Sequence, residues 1–131
     1  MQPDFPIEVV LDGNPRSLQA SAESLRRWKH QIASAISRRL PEGAFLTEAP
    51  IRFRLFWFSD AEAPGDLDNM IKPILDAAAR VLIRDDQQVQ TIQAEHYPPS
   101  RPLDLIEPSN ELLRAVAAER PCVYICFDER S

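Results

Sequence analysis

Residues 51–58, IRFRLFWF, constrain the fold more than any other stretch of this chain. Ile51, Phe53 and Leu55 alternate with Arg52 and Arg54, and then Phe56, Trp57 and Phe58 follow without a polar break. A period of two marks a strand covered on one face, and an unbroken apolar run marks one covered on both. This strand therefore passes from a half-exposed rim into a covered interior, and the rest of the chain must supply the covering layers.

The remaining elements fall around it. FPIEVVL (5–11) has strand composition and is broken by the turn residues DGNPRS. Ser21 caps a helix in which Leu25, Trp28, Ile32, Ala35 and Ile36 recur at helical spacing to about Leu40. Residues 41–50 and 59–65 read as loops. Met70, Ile71, Ile74, Leu75, Ala78, Val81 and Leu82 form a second helical stripe running to about residue 83. Pro73 is harmless in a first turn and costs about 3 kcal/mol deeper in a helix, so the predicted start is Asn69 or Met70. Residues 88–97 read as an edge strand, and 98–108 as a proline-rich connection. A short helix over 109–119 is capped by Ser109 or Asn110, and 122–127 form a last strand. The order β-α-β-α-β-α-β predicts an α/β (α+β) fold: a small mixed sheet of about four strands, two main helices and a short C-terminal helix, in two or three layers.

At 131 residues, 44% apolar and 27% charged, the chain is expected to be one folded domain over 1–131. It has no apolar run of membrane-spanning length and no basic-then-apolar leader, so a cytoplasmic protein that does not engage membranes is expected. Cys122 and Cys126 lie four apart on a strand, roughly 13 Å from each other, too far for a disulfide, and read as core thiols. The net charge of −5 argues against a generic nucleic-acid coat, but it is unevenly spread. Residues 14–58 hold eight bases and three acids, leaving seven bases and seventeen acids elsewhere. That asymmetry predicts one face for an anion and another that gathers cations. On the basic side Arg16, Arg26, Arg27, Lys29 and Arg38 are the candidate phosphate contacts. Trp28 stands either as core or as a DNA wedge, and Phe56, Trp57 and Phe58 read as core.

The acidic side centres on GDLDNMIKPILDAAARVLIRDDQQ, residues 65–88, with five aspartates and no glutamate. Asp66 and Asp68 precede the helical stripe, and Asp85 and Asp86 follow it. Short carboxylates gathered in pairs repel unless a cation lies between them, and oxygen donors of this kind suit a hard divalent ion such as Mg²⁺. The competing reading is structural. Asp66 and Asp68 could cap the helix, Asp85–Asp86 could form a polar turn, and Lys72 could pair with Asp68 and Asp76 at i±4 spacing. No serine or cysteine stands with a base beside it. With three glycines in all, the chain has no phosphate-cradling glycine loop.

Taken together, residues 66–89 resemble the RusA-like Holliday-junction resolvases, bacterial and phage endodeoxyribonucleases. The likeness lies in a D-x-D-N segment, a lysine four residues after the second aspartate, an apolar helix with an internal aspartate, and a D-D followed by a strand. It extends more loosely to 15–32 and fades after Pro98. The resemblance implies that Asp66, Asp68 and Asp86 bind a catalytic Mg²⁺ (with Mn²⁺ as the alternative), that Asp85 is an auxiliary carboxylate, and that Lys72 sits beside the scissile phosphate. It further implies a homodimer that nicks branched DNA in recombination or repair. The rival expectation is a non-catalytic relative that binds DNA or a protein partner.

Overall fold

A computed structural model describes residues 3–62 and 65–130. Its order is β1 (Ile7–Asp12), α1 (Ala22–Ser37), β2 (Ile51–Phe58), α2 (Leu67–Ala78), β3 (Val89–Tyr97), α3 (Asn110–Ala117) and β4 (Cys122–Glu129). The four strands form one mixed sheet in the order β1-β4-β2-β3. β4 is antiparallel to both its neighbours, and β2 and β3 are parallel, joined by the crossover through α2. This is the mixed four-stranded α+β fold with three helices that the sequence predicts. No described helix is long and apolar enough to cross a membrane.

The covering layers lie on both faces. Val123, Ile125 and Phe127 of β4, with Phe53, Leu55 and Trp57 of β2, pack with Trp28, Ile32 and Ile36 of α1 and Ile74 and Leu75 of α2. The alternate residues Cys122, Tyr124 and Cys126, with Phe56 and Phe58, pack with Tyr97 and with Leu112 and Ala115 of α3. Three layers result because β2 and β4 are apolar on both sides. Both cysteines are buried free thiols, and Trp28 is core, only 3% exposed.

The helix bounds depart from expectation at α2. It begins at Leu67, with Asp66 as the N-cap residue, so Asp68 stands in its first turn and the DLD segment is not a feeding loop. Pro73 consequently sits well inside the helix and is buried. A proline there removes the N–H that would bond the carbonyl four residues back, which is that of Asn69. The Leu18 N–H donates to that carbonyl at 3.0 Å, so the orphaned acceptor is satisfied from the loop before α1. The proline thus creates the acceptor by which the loop before α1 is fastened to α2.

α2 also ends early, at Ala78. The chain then turns through the buried Leu82 and Ile83, where Thr47 N–H donates to Leu82 O at 2.8 Å. A single 3-10 turn, Asp86–Gln88, leads into β3. The early stop is what allows the second aspartate pair to return alongside α2.

Candidate active site

The two aspartate pairs are positioned by different devices. At the DLD end, Gly65 lies against the Trp57 ring so closely that a Cβ there would stand 2.2 Å from a ring carbon. Only a residue without a side chain can make that approach, and it sets the backbone from which Asp66 emerges. Asp66 occupies the N-cap position, but its side chain makes no capping bond. It accepts instead from the Asn69 side-chain amide and touches Asp68. The reading of these two carboxylates as mere helix caps therefore fails for Asp66.

Neither Asp66 nor Asp68 forms an ion pair with any described residue, and they act on each other. The Asp68 carboxyl is held above its usual value by its hydrogen bond to Asp66 and by that group's charge. Asp66 is held below its usual value, first by that same hydrogen bond and then by Asn69. Two exposed carboxyls that act on each other, with no ion-pair partner among the described residues, form an oxygen-donor pair, matching the chemistry of a hard dication.

At the other end, Asp85 and Asp86 part company. Asp85 Oδ1 accepts from Gln87 N–H at 2.8 Å, while Gln88 Oε1 accepts from Asp85 N–H at 2.9 Å and Arg84 N–H at 2.8 Å. That is a capping box, whose D-x-x-Q signature stands in the sequence at 85–88. The Gln88 amide also donates to the carbonyls of Thr47 (2.9 Å) and Ala49 (3.0 Å), tying the turn to the strand-leading loop. Asp85 thus holds the turn through Oδ1, whereas Asp86 faces Lys72, with Oδ2 2.6 Å from the ammonium.

Lys72 pairs with Asp86 and, at 2.9 Å, with Asp76. Asp68, the other i±4 partner expected from spacing, is not one of its contacts in the structure. The two carboxylates, Asp86 first, push the Lys72 ammonium above its ordinary value, and Lys72 in turn holds the Asp86 carboxyl low. Asp76 continues the chain of charge by pairing with Lys29 of α1 at 3.5 Å. Lys29 therefore braces Asp76, and through it Lys72, and is not a free phosphate contact. The structure brings Asp66 to Asp68, and Asp86 to Lys72. Among the described residues, no three acid, histidine or cysteine side chains gather closely enough to hold one ion.

The other basic candidates lie on α1 and the loop before it. Arg26 and Arg27 line a shallow groove with His30, Gln31 and Arg80. His30 stands alone in the sequence and Arg80 falls in the acidic segment; the packing of α1 beside α2 puts them together. Arg27 stands 3.9 Å from Glu23, and Arg16 is bound to Ser24 Oγ (3.1 Å) and Asn14 O (2.6 Å). Arg38 reaches only the carbonyl of Ser34, at 3.3 Å. Among the described residues Arg26, Arg38 and Arg80 have no carboxylate partner within salt-bridge distance.

A family model described as Endodeoxyribonuclease RusA matches residues 6–104, from the start of β1 to the connection after β3. No curated protein matches the chain.

Proposed function

The chain belongs to the RusA endodeoxyribonuclease family, and from that membership we propose that it is a Mg²⁺-dependent, structure-selective nuclease that nicks branched DNA. The observation that carries the reading is the Lys72 ammonium held by Asp86 and Asp76 on the helix whose N-cap and first turn bear the Asp66–Asp68 pair, which has no ion-pair partner among the described residues. A caps-and-turn account explains Asp85, and ion pairing accounts for Lys72, Asp76 and Asp86, but neither gives the Asp66–Asp68 pair a partner.

In this proposal Asp66, Asp68 and Asp86 are the residues that would hold Mg²⁺ or Mn²⁺, with Asp85 as an auxiliary. Held there, such an ion would supply Lewis-acid polarisation of a phosphate oxygen and a bound water of lowered pKa. Lys72 supplies a fixed positive charge to the non-bridging oxygens, a contact that strengthens as charge builds there. Asp76 and Asp86 keep that lysine protonated and aimed, and Lys29 keeps Asp76 in place. Arg26, Arg27, His30 and Arg80 line the track for the phosphodiester backbone, with Arg16 and Arg38 beyond it. Three or four such phosphate contacts imply a slope of roughly −3 to −4 in log K against log salt. One domain over 1–131 forms the unit, and two copies in a homodimer would place two such sites on one junction, in a cytoplasmic setting of recombination or repair.

A second reading, a non-catalytic relative that binds DNA or a partner protein, draws on one observation: among the described residues, the acid pairs stand apart. A synthetic four-way junction incubated with and without Mg²⁺ separates the two. The nuclease reading expects nicking in Mg²⁺, its loss in Asp86→Asn and Asp68→Asn with junction binding retained, and a Mg²⁺-induced rise in Tm for the wild type alone. A dimer that binds the junction and leaves it intact in both Mg²⁺ and Mn²⁺ refutes it.

A further inference from the structure

The sheet has two edge strands, β1 and β3, and they are finished differently. β1 packs with α1 on one face and α3 on the other. Arg39, just past the end of α1, pairs with Glu111 of α3 at 3.2 Å, so this ion pair closes round the outer edge of β1. β3 is finished only at its ends. At its start the register with β2 shifts, leaving Gln90 as the extra, bulged residue, and Arg130 donates to the Gln90 side chain at 2.8 Å. At its end Arg101 donates to the carbonyl of His96 at 2.8 Å.

The middle of β3 is open. Tyr97 O accepts from Ser59 N–H at 3.1 Å, so the backbone groups of Tyr97 point toward β2. Successive strand residues alternate in this respect, so Glu95 and Gln93 also point inward, whereas Ile92, Ala94 and His96 point outward. Among the described residues nothing bonds to the outward N–H and C=O groups of Ile92 and Ala94. Such a row is a template for another strand, and natural edges are guarded there by lysine, proline or a bulge. Ile92, Gln93 and Ala94 supply none of these guards, and the Ile92 side chain is 48% exposed.

We propose that β3 pairs with β3 of a second copy, antiparallel about a two-fold axis through Gln93. The occupant follows from the strand's own pattern. In this register Ile92 faces the partner's Ala94, and the open residues exchange both hydrogen bonds while burying apolar surface. On the other face Thr91 meets the partner's Glu95, and Gln93 meets the partner's Gln93, whose amides both donate and accept. Glu95 is the only acid from Val89 to Tyr97, so no like charges are opposed. Centring on Ile92 or Ala94 would set an open residue against the bulged Gln90, or against His96, whose carbonyl Arg101 holds.

The result is one eight-stranded sheet. Antiparallel pairing of identical strands puts the axis perpendicular to the sheet, so each face keeps its side. Both copies of α1 and α2 then cover the same face, and both acidic sites lie on one side, as two cuts in one junction require. That last step rests on the nuclease reading; the strand pairing does not.

Sedimentation of the full chain tests the pairing. The wild type should be a dimer, and Ile92→Lys, which puts a charge on the open edge, should raise its dissociation constant by about tenfold or more. Gln93→Cys should be captured as a covalent dimer by copper-phenanthroline oxidation. Facing residues whose backbone groups point away from each other stand about 4.5 Å apart at Cα, within disulfide reach. Gln90→Cys, roughly 20 Å from its own copy in this register, should not be captured, nor should the wild type, whose two thiols are buried. If Ile92→Lys does not fold, the two cysteine variants decide. A wild type that stays monomeric up to about 100 μM, where even weak specific pairing is populated, overturns the proposal. So does a dimer that Ile92→Lys leaves intact, or equal capture of Gln90→Cys and Gln93→Cys. A β3-paired dimer that leaves junctions uncut sinks the nuclease reading alone, and nicking by a protein that fails these tests sinks the pairing alone.

Discussion

At the start of α2, Asp66 and Asp68 lean on each other with no ion-pair partner among the described residues, whereas beyond its end Asp85 is bound into a capping box and Asp86 is clasped by Lys72. The residue type is the same at all four positions. What differs is the backbone beneath them. The DLD pair stands at the N-cap and in the first turn of α2, directly after a glycine pressed onto a tryptophan. The DD pair opens a 3-10 turn whose free N–H groups must be satisfied locally. One pair therefore has no cationic partner among the described residues. The other divides its two carboxylates between holding up the turn and holding a lysine.

That contrast predicts effects of different kind and size. The largest belongs to the one residue that faces the DD pair while serving the proposed reaction. Lys72→Met should lower nicking by about 10²–10³-fold, the scale of losing one fixed charge aimed at a developing anion. Junction affinity should stay within a few-fold, because the phosphate track on α1 is untouched. If nicking and binding fell together, Lys72 would be a phosphate anchor and the contrast between the pairs would lose its chemical meaning.

How far the sequence alone reaches is clear from particular residues. The apolar run at 56–58 announces a strand covered on both faces, and that requirement yields the layers correctly. The stripe from Met70 to Leu82 announces a helix on one face of the sheet. Its bounds are misjudged because Pro73 weighs against an early start, and nothing local reveals that Leu18 satisfies the carbonyl the proline leaves open. Which aspartate does what depends on non-local contacts: Thr47 and Ala49 receiving Gln88, and Lys29 reaching Asp76. Of these devices only the D-x-x-Q capping signature was readable in advance.

The next two predictions strike each pair by itself. Gly65→Ala forces a methyl group into the Trp57 ring, and overpacking of that kind costs about 1–3 kcal/mol. Chemical denaturation measures the cost, and nicking should fall further than stability because Asp66 moves with the backbone. Gln88→Ala removes the acceptor for two turn N–H groups and the donor to two carbonyls. Its cost should be about 0.5–2 kcal/mol, as for loss of a helix cap, since solvent reaches part of the turn. Faster hydrogen exchange at Arg84 and Asp85, with Leu18 and Asn69 unchanged, is the expected signature. Loosening at both ends of α2 in either variant would mean the pairs form one cooperative unit, not two.

The smallest effect is a pH dependence reaching only the DLD side. His96 stacks on Trp57 with ring centroids 4.0 Å apart and its Nε2 lies 2.7 Å from Ser59 Oγ. Burial, and then the nearby Arg101 charge, hold its pKa below the ordinary histidine value, with Glu62 opposing. The unfolded chain therefore takes up a proton before the folded one does. Stability from this group is complete above the unfolded value of about 6.5 and is lost as pH falls through the folded value. Urea midpoints between pH 7.5 and pH 5 should fall in the wild type and fall less in His96→Gln. Trp57 bears directly on Gly65, so exchange at Gly65 and Asp66 should quicken over that range while Asp85 through Gln88 do not follow. A loss of equal size in His96→Gln would assign the pH dependence to the carboxylates and remove His96 from the set of groups that steady the DLD pair.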